Sequence, residues 1–269
     1  MRSTRWFSAP VLALLLWGSG PAEAGPEKKA PKELPSFGTL RAPDLEVARG
    51  QALAWLKGVG KTDAATQQAF ADIWNSDRPL LDKVADTLAL GDPEARKLLA
   101  EARDPDGPAP TDTPALLKDP RRPAYFRHNL ALAYARALSN RKVYEEALDA
   151  LKLVKAEDVV DPSSYLFHKA VAEHALMLKE QAEDSIDRLL VDVLDAPERY
   201  RMVGALMHFD MLAWREKDLG WISRKMDNIH RRLDLARGGN KTKREQKEVV
   251  VRLDEMIKEM ENRAKSGGS

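Results

Sequence analysis

Residues 124–151 read AYFRHNLALAYARALSNRKVYEEALDAL, and this stretch decides the fold class of the chain. Apolar side chains recur three and four positions apart on both sides of a short polar break, which is the spacing of one face of an α-helix. Two such runs joined by a few residues predict an antiparallel helical hairpin.

The spacing of Arg127, Leu130, Ala131 and Tyr134 in the first of these helices recurs twice. It returns about 40 residues later and again after about 33 more. A repeat of this period indicates stacked helical units. The sequence therefore predicts an all-α fold of stacked antiparallel helix hairpins, an α-solenoid. The second and third copies are Phe167, Ala170, Val171 and His174, then Tyr200, Val203, Gly204 and Met207.

The repeats are preceded by other helical patterns. Residues 44–103 read as an N-terminal set of four short helices, with Gly91-Asp92-Pro93 ending the third and starting the fourth. Residues 104–123 contain six prolines, a density that excludes a helix. We predict a linker between two units, with a long loop across the surface as the alternative. No segment shows the alternating pattern of a β-strand.

The repeat domain is expected over residues 124–264, followed by a flexible tail at 265–269. Residues 203–214 are apolar on all sides, so this helix is expected to be buried on both sides. A C-terminal helix, Lys241–Arg263, is expected to close the solenoid with one apolar face. That face consists of Val249, Val250, Leu253, Met256, Ile257 and Met260.

The N-terminal end indicates export. Arg2 and Arg5 precede an apolar run at residues 11–17, and Ala22-Glu23-Ala24 supplies a small-x-small cleavage pattern. We predict a signal peptide at residues 1–24, with an uncleaved anchor as the alternative, and a disordered proline-rich tether at 25–43. The mature protein is then periplasmic or secreted, in a bacterial envelope.

The composition of the mature chain excludes several classes of partner. It contains equal numbers of basic and acidic residues and no cysteine. A neutral balance argues against nucleic acid or an anionic membrane surface as the main partner, and the absence of cysteine excludes disulfides and thiolate chemistry. No later apolar run approaches membrane length, so no stable membrane insertion is expected after cleavage.

Residues 123–237 resemble the tetratricopeptide repeat family. The first unit offers Leu130, Ala131 and Tyr134 in one helix and Tyr144-Glu145-Glu146-Ala147 at the start of the next. Ala131, Val171 and Gly204 would stand where the family places a small residue between helices. The chain departs from the family in that Tyr134 and Ala147 are 13 residues apart, where the family usually has nine.

The resemblance implies a ligand groove on the inner face of the first helices of the units, suited to an extended peptide or a carboxylate terminus. The alternative is that an N-terminal segment or the closing helix of this chain packs there. The candidate groove residues are Tyr125, His128, Arg136, Tyr165, His168, Arg201 and His208.

No motif predicts catalysis, a cofactor or a metal. Residues 58–62 resemble the end of a phosphate-binding loop but lack the required glycine, since Trp55 stands in its place, and they lack a preceding strand. His128, His168 and His208 are 40 residues apart, too far along a stack of helices to share one ion. We expect a non-catalytic module that binds a protein or peptide segment. The alternative is a self-associating structural or assembly protein of the envelope.

Overall fold

The computed structural model describes residues 37–266, and all regular secondary structure in this range is helical. The all-α prediction is therefore confirmed. The predicted signal peptide, most of the predicted tether and residues 267–269 lie outside the described residues. The helices are α1 (Leu45–Gly58), α2 (Ala64–Asn75), α3 (Leu80–Gly91), α4 (Pro93–Arg103), α5 (Ala115–Lys118), α6 (Ala124–Asn140), α7 (Tyr144–Leu151), α8 (Pro162–Ala175), α9 (Lys179–Val191), α10 (Glu198–Leu212), α11 (Leu219–Asp234) and α12 (Asn240–Ser266).

Two of the four short N-terminal helices, α2 and α4, begin where a local side chain satisfies one of their first backbone amides. The carboxylate of Asp63 accepts a hydrogen bond from the Thr66 amide at 2.9 Å, which starts α2. Asp92 does the same for the Ala95 amide at 2.9 Å, with Pro93 at the first helical position of α4. Both are N-cap arrangements, which explains why these boundaries could be read from the sequence.

The hairpins α6–α7 and α8–α9 turn in the same way. Lys142 and Met177 each adopt φ of 60°, the left-handed conformation that ends a helix. In both turns the amide of the following residue donates a hydrogen bond to the carbonyl five residues earlier. Val143 donates to Leu138 at 2.9 Å, and Leu178 donates to Glu173 at 2.8 Å. The two hairpins are therefore equivalent at an offset of 35 residues, not the 40 inferred from sequence.

This offset changes which small residues are equivalent. Ala135 and Ala170 occupy matching places in α6 and α8, and both are completely buried. The sequence comparison paired Val171 with Ala131, but Ala131 matches Leu166 at this offset, and Val171 is half-buried. The pairing of the second unit with the first was thus wrong by five residues. The pattern of apolar spacing repeats every three to four residues, so it does not by itself fix the register.

The third hairpin also differs from the expectation. Helix α10 packs against α8 and α9, and α11 packs against α12 rather than closing back on α10. Gly204 of α10 faces Leu189 and Ile186 of α9, so it lies in the contact with the preceding hairpin, with room there for a Cβ.

Buried apolar side chains form one large cluster and two small ones. The large cluster runs from Leu40 to Tyr200 and includes residues from both sides of the proline-rich segment. Within that segment the short helix α5 forms, against expectation, and places Leu117 in the core. The division at residues 104–123 into separately folding units stays a prediction. The two small clusters lie between α8, α9 and α10 and between α11 and α12.

The end of the predicted tether is bound to the folded chain. Leu40 forms a single parallel β-bridge with Val193, and its amide donates to the Asp192 carbonyl at 2.9 Å. The amide of Ala42 donates to the Asp195 carboxylate at 3.2 Å. The chain therefore enters the fold beside the α9–α10 connection. None of the helices between residues 37 and 266 has the length and apolar content to cross a membrane.

Candidate functional site

An open cavity of about 560 Å³ lies where α6, α8 and α10 end against one side of α11. We call it the α11 cavity. Its walls combine aromatic rings with three lysine or arginine side chains and three aspartates. The lining residues are Lys142, Tyr144, His174, Ala175, Met177, Asp210, Trp214, Arg224, Asp227, Asn228, His230, Arg231 and Asp234.

Asp210 organises one wall of the α11 cavity. Its carboxylate lies 2.9 Å from Nε2 of His174 and accepts a hydrogen bond from the Trp214 indole at 2.8 Å. The Arg224 guanidinium stacks over the Trp214 ring at 4.6 Å. Burial works to raise the pKa of Asp210, but the two hydrogen bonds and the charges of His174 and Arg224 outweigh it and lower that pKa. The wall is therefore a fixed carboxylate flanked by aromatic rings.

A buried ionic junction centred on Glu145 adjoins the α11 cavity, and Arg231 belongs to both. Arg231 grips this carboxylate with two hydrogen bonds of 2.9 and 3.1 Å, and Arg232 binds the same group. Glu145 lies in the first turn of α7, where the helix dipole also favours a negative charge. Although burial works to raise the pKa of Glu145, the hydrogen bond and the charge of Arg231, with that of Lys241, lower it to about 2.

The carboxylate of Glu146 extends the ionic junction to Arg237, in the turn between α11 and α12. Arg237 pairs with Glu146 at 2.9 Å and donates to the Pro110 carbonyl at 2.6 Å. Asn228 donates to the Ala175 carbonyl at 2.6 Å, at the end of α8. The hairpin α11–α12 is thus attached to the α6–α9 hairpins largely by polar contacts.

Two guanidinium groups, those of Arg224 and Arg231, line the α11 cavity. Their Nε atoms are buried and have no hydrogen-bond partner among the described residues, an arrangement that costs about 1–3 kcal/mol for each atom. The positive charge of the two groups favours a carboxylate in the cavity.

Helix α10 exposes an apolar face toward solvent. Leu206 and Phe209 are 64% and 65% exposed, and Met202 lies one turn before them on the same face. The prediction that this helix is buried on both sides was wrong. Its apolarity is real, but only the side facing α8 and α9 is covered. We call Met202, Val203, Leu206, Phe209 and Leu212 the α10 face; Asp210 and Trp214, at the end of the same helix, line the α11 cavity.

Two of the candidate groove residues belong to the core. Tyr165 and His168 are each only 6% exposed. The Tyr165 hydroxyl donates to the Val154 carbonyl at 3.0 Å, and His168 lies 3.3 Å from the Ser139 hydroxyl. Burial lowers the pKa of His168 to about 4, which keeps its ring neutral. Neither side chain is available to a ligand in this conformation, because both point into the hairpin stack.

The other candidates are scattered. Tyr125 and His128 are half-buried on α6, and burial raises the pKa of Tyr125. Arg136 forms an ion pair with Asp82 of α3, because the N-terminal helices pack against α6. Arg201 is exposed, and His208 is half-buried. The structure therefore does not bring the seven residues together on one open groove. Over α6, it shows the alternative in which an N-terminal segment of this chain packs there.

The ionic junction was not predicted from the sequence, although the charged residues that form it stand next to each other in pairs. The adjacent acids Glu145 and Glu146 and the adjacent bases Arg231 and Arg232 each stand out as pairs. They are about 86 residues apart, and no local pattern indicates that they meet.

Chemistry at this site rests on hydrogen bonding and charge. Between residues 37 and 266, no group of three or more histidine, aspartate or glutamate side chains is arranged to hold a metal ion. Comparison of the chain with family models, with curated proteins and with solved structures finds no match in any of the three.

Proposed function

We propose that this chain is an exported, non-catalytic interaction module that binds a protein segment along the α10 face and in the α11 cavity. One observation carries the proposal. Of the nineteen large apolar side chains that are exposed in the described part of the chain, thirteen lie on α10, α11 and α12. Concentrated exposed apolar surface of this kind marks interaction sites in soluble proteins.

The chemistry of the surface defines a partner. The α10 face offers apolar side chains at spacings of three and four, which suits an amphipathic helix or an extended apolar segment. The α11 cavity at the end of α10 adds an aromatic wall and the positively charged groups of Arg224 and Arg231. We therefore expect a protein segment with apolar anchors followed by a carboxylate, from a side chain or a chain terminus.

We further infer that α6–α9 are two tetratricopeptide-like units. The repeated left-handed turns at Lys142 and Met177 support this, as do the equivalent buried Ala135 and Ala170. Their offset of 35 residues is close to the 34 of that family. The binding surface proposed here differs from the inner groove of the family, since α10 and α11 supply it.

Export is part of the proposal and rests on the sequence of residues 1–24. Mass spectrometry of the protein from an expressing bacterium should give a mature chain that begins at Gly25. A cytoplasmic protein that retains residues 1–24 would contradict export.

The binding proposal is tested by co-purification from the envelope fraction with the mature chain as bait. The double variant L206D/F209D should lose a specific protein that the unaltered chain retains, and that protein should then bind the purified chain. The matched control is V47D, because Val47 is a similarly exposed apolar residue on α1. Circular dichroism checks that both variants are folded.

Capture of the same protein at the same yield by L206D/F209D would contradict the assignment of the α10 face. Recovery of nothing above background by the unaltered chain would count against an interaction module. A second candidate function, self-association, is favoured by a separate feature of α12.

A further inference from the structure

Helix α12 has a covered inner stripe of mixed residues and an exposed apolar outer stripe. The inner stripe alternates spacings of three and four and packs toward α11; its members are the least exposed of the helix. The outer stripe has the same alternation but is 38–66% exposed. The inner stripe is Thr242, Glu245, Val249, Arg252 and Met256, and the outer stripe is Val250, Leu253, Ile257 and Met260.

Helix α12 also extends well past the helix that covers it. Arg252 donates to the Lys217 carbonyl at 2.6 Å, just before α11 begins, and Met256 is the last residue to pack against the α11–α12 cluster. Residues 257–266 are all exposed. This is about 15 Å of helix beyond α11. Alternating three- and four-residue apolar spacing is the sequence pattern of a coiled-coil seam, which is buried only when it faces another helix.

We infer that the outer stripe pairs with the outer stripe of a second copy of this chain, with the two α12 helices antiparallel. In this arrangement Val250 faces Met260 of the second copy, and Leu253 faces Ile257 of the second copy. Two-fold symmetry repeats both contacts, so the interface has four pairs of apolar side chains and every residue of both outer stripes is paired.

The charges beside the outer stripe favour this direction. Lys247, Asp254 and Glu261 occupy the flank away from α11, at seven-residue intervals. In the antiparallel pair Lys247 lies next to Glu261 of the second copy, and symmetry makes this favourable contact twice. The unfavourable contact between the two Asp254 side chains is made only once.

A parallel pair loses this complementarity. In a parallel pair, Asp254 and Glu261 meet the opposite flank of the second copy, which holds the apolar Val249 and Met256. Such an arrangement gains no ion pair.

The contact is short, so the dimer is expected to be weak. Interfaces below about 1,200 Å² are typical of transient complexes, and we expect a dissociation constant on the order of 10–100 µM. Sedimentation equilibrium of the mature chain from about 1 to 500 µM should therefore show a monomer–dimer transition.

Variants locate the interface. L253D/I257D should remain monomeric over the whole range, a loss of at least about a hundredfold in association. The matched control is V251D: Val251 is 46% exposed on the same helix but lies off the outer stripe, so V251D should dimerise as the unaltered chain does. A chain that is monomeric at 500 µM overturns the inference, as does equal dimerisation by L253D/I257D.

Disulfide trapping tests the direction, because the chain has no cysteine of its own. A mixture of V250C and M260C chains should form the mixed disulfide under mild oxidation. Efficient linking of V250C to itself would indicate a parallel pair and overturn the antiparallel register. K247E should weaken the dimer several-fold, and K247E/E261K should restore it. Association of K247E at full strength would also contradict the register.

Discussion

The structure divides into two regions that are equally helical but differently stabilised. Residues 40–200 place their large apolar side chains in one continuous cluster, with few left outside. Residues 202–266 have one small cluster of their own, share a second with α8 and α9, and expose most of their large apolar side chains. The ionic junction joins them to α7. The comparison teaches that the C-terminal helices carry apolar surface beyond what their own packing uses.

The same comparison predicts unequal stability. A helix pair attached by few apolar contacts opens at a lower free energy than the core does. We therefore expect α11 and α12 to open while residues 40–200 stay folded.

The largest effect should come from a cavity in the large cluster. L138A removes a completely buried side chain of α6 and should lower the free energy of unfolding by about 2–5 kcal/mol. L206A, on the α10 face, should change it by less than about 0.5 kcal/mol. Urea unfolding followed by circular dichroism measures both. Equal effects of the two variants would refute the contrast between the regions.

The ionic junction should give the next largest effect, confined to the C-terminal region. E145Q leaves Arg231 and Arg232 buried without their shared carboxylate, which costs about 3–5 kcal/mol in comparable sites. Hydrogen exchange should become faster in residues 219–266 and stay unchanged in α6 and α8. The control E248Q breaks a more exposed pair with Lys225 and should cost less than about 1 kcal/mol. Faster exchange throughout the chain would mean that the junction supports both regions.

Acid should reproduce the effect of E145Q. The pKa of Glu145 is about 2 in the fold and 4.5 when unperturbed, so its contribution is fully present above pH 4.5. It is lost as the pH falls from 4.5 towards 2, because the unfolded chain takes up the proton first. The loss is about 3 kcal/mol, at about 1.4 kcal/mol per pH unit. Exchange at residues 219–266 should show this dependence in the unaltered chain and not in E145Q.

Alanine substitution of two glycines should change the free energy of unfolding by intermediate amounts and in opposite directions. A Cβ at Gly91 would lie 2.5 Å from the Trp55 ring, so G91A should destabilise the large cluster by about 1–3 kcal/mol. A Cβ at Gly204 would lie 3.5 Å from Leu189, an ordinary contact, so G204A should stabilise α10 by about 0.5–1 kcal/mol through helix propensity. Thermal unfolding of both variants measures the signs. A stabilising G91A or a strongly destabilising G204A would contradict the packing described here.

The smallest effect should come from the repeated turn. Met177 has φ of 60°, which a side chain disfavours, so M177G should stabilise the α8–α9 hairpin by up to about 1 kcal/mol. Destabilisation by M177G in urea unfolding would mean that the side chain contributes more packing than its backbone costs.

Much of the first region could be read from the sequence because its rules are local. The caps at Asp63 and Asp92 and the proline after Asp92 mark helix starts within three residues. The turns at Lys142 and Met177 could not be predicted, because neither lysine nor methionine favours a left-handed backbone conformation. That omission led to the wrong repeat offset.

The candidate site could not be read for a different reason. Apolarity around α10 indicates that the helix is covered, but not whether the cover comes from this chain. The resemblance to the tetratricopeptide family implied a groove that includes Tyr165 and His168, but both side chains lie in the core. The pairing of Glu145 with Arg231 depends on how distant segments pack, which no local pattern records.

Native-state hydrogen exchange of the mature chain, read by mass spectrometry at micromolar concentration, tests the contrast between the regions most directly. We predict that amides in α11 and α12 exchange through a separate opening at least about 2 kcal/mol below the free energy of global unfolding, while amides in α6 and α8 exchange only with global unfolding. One common opening free energy from α1 to α12 would contradict the account.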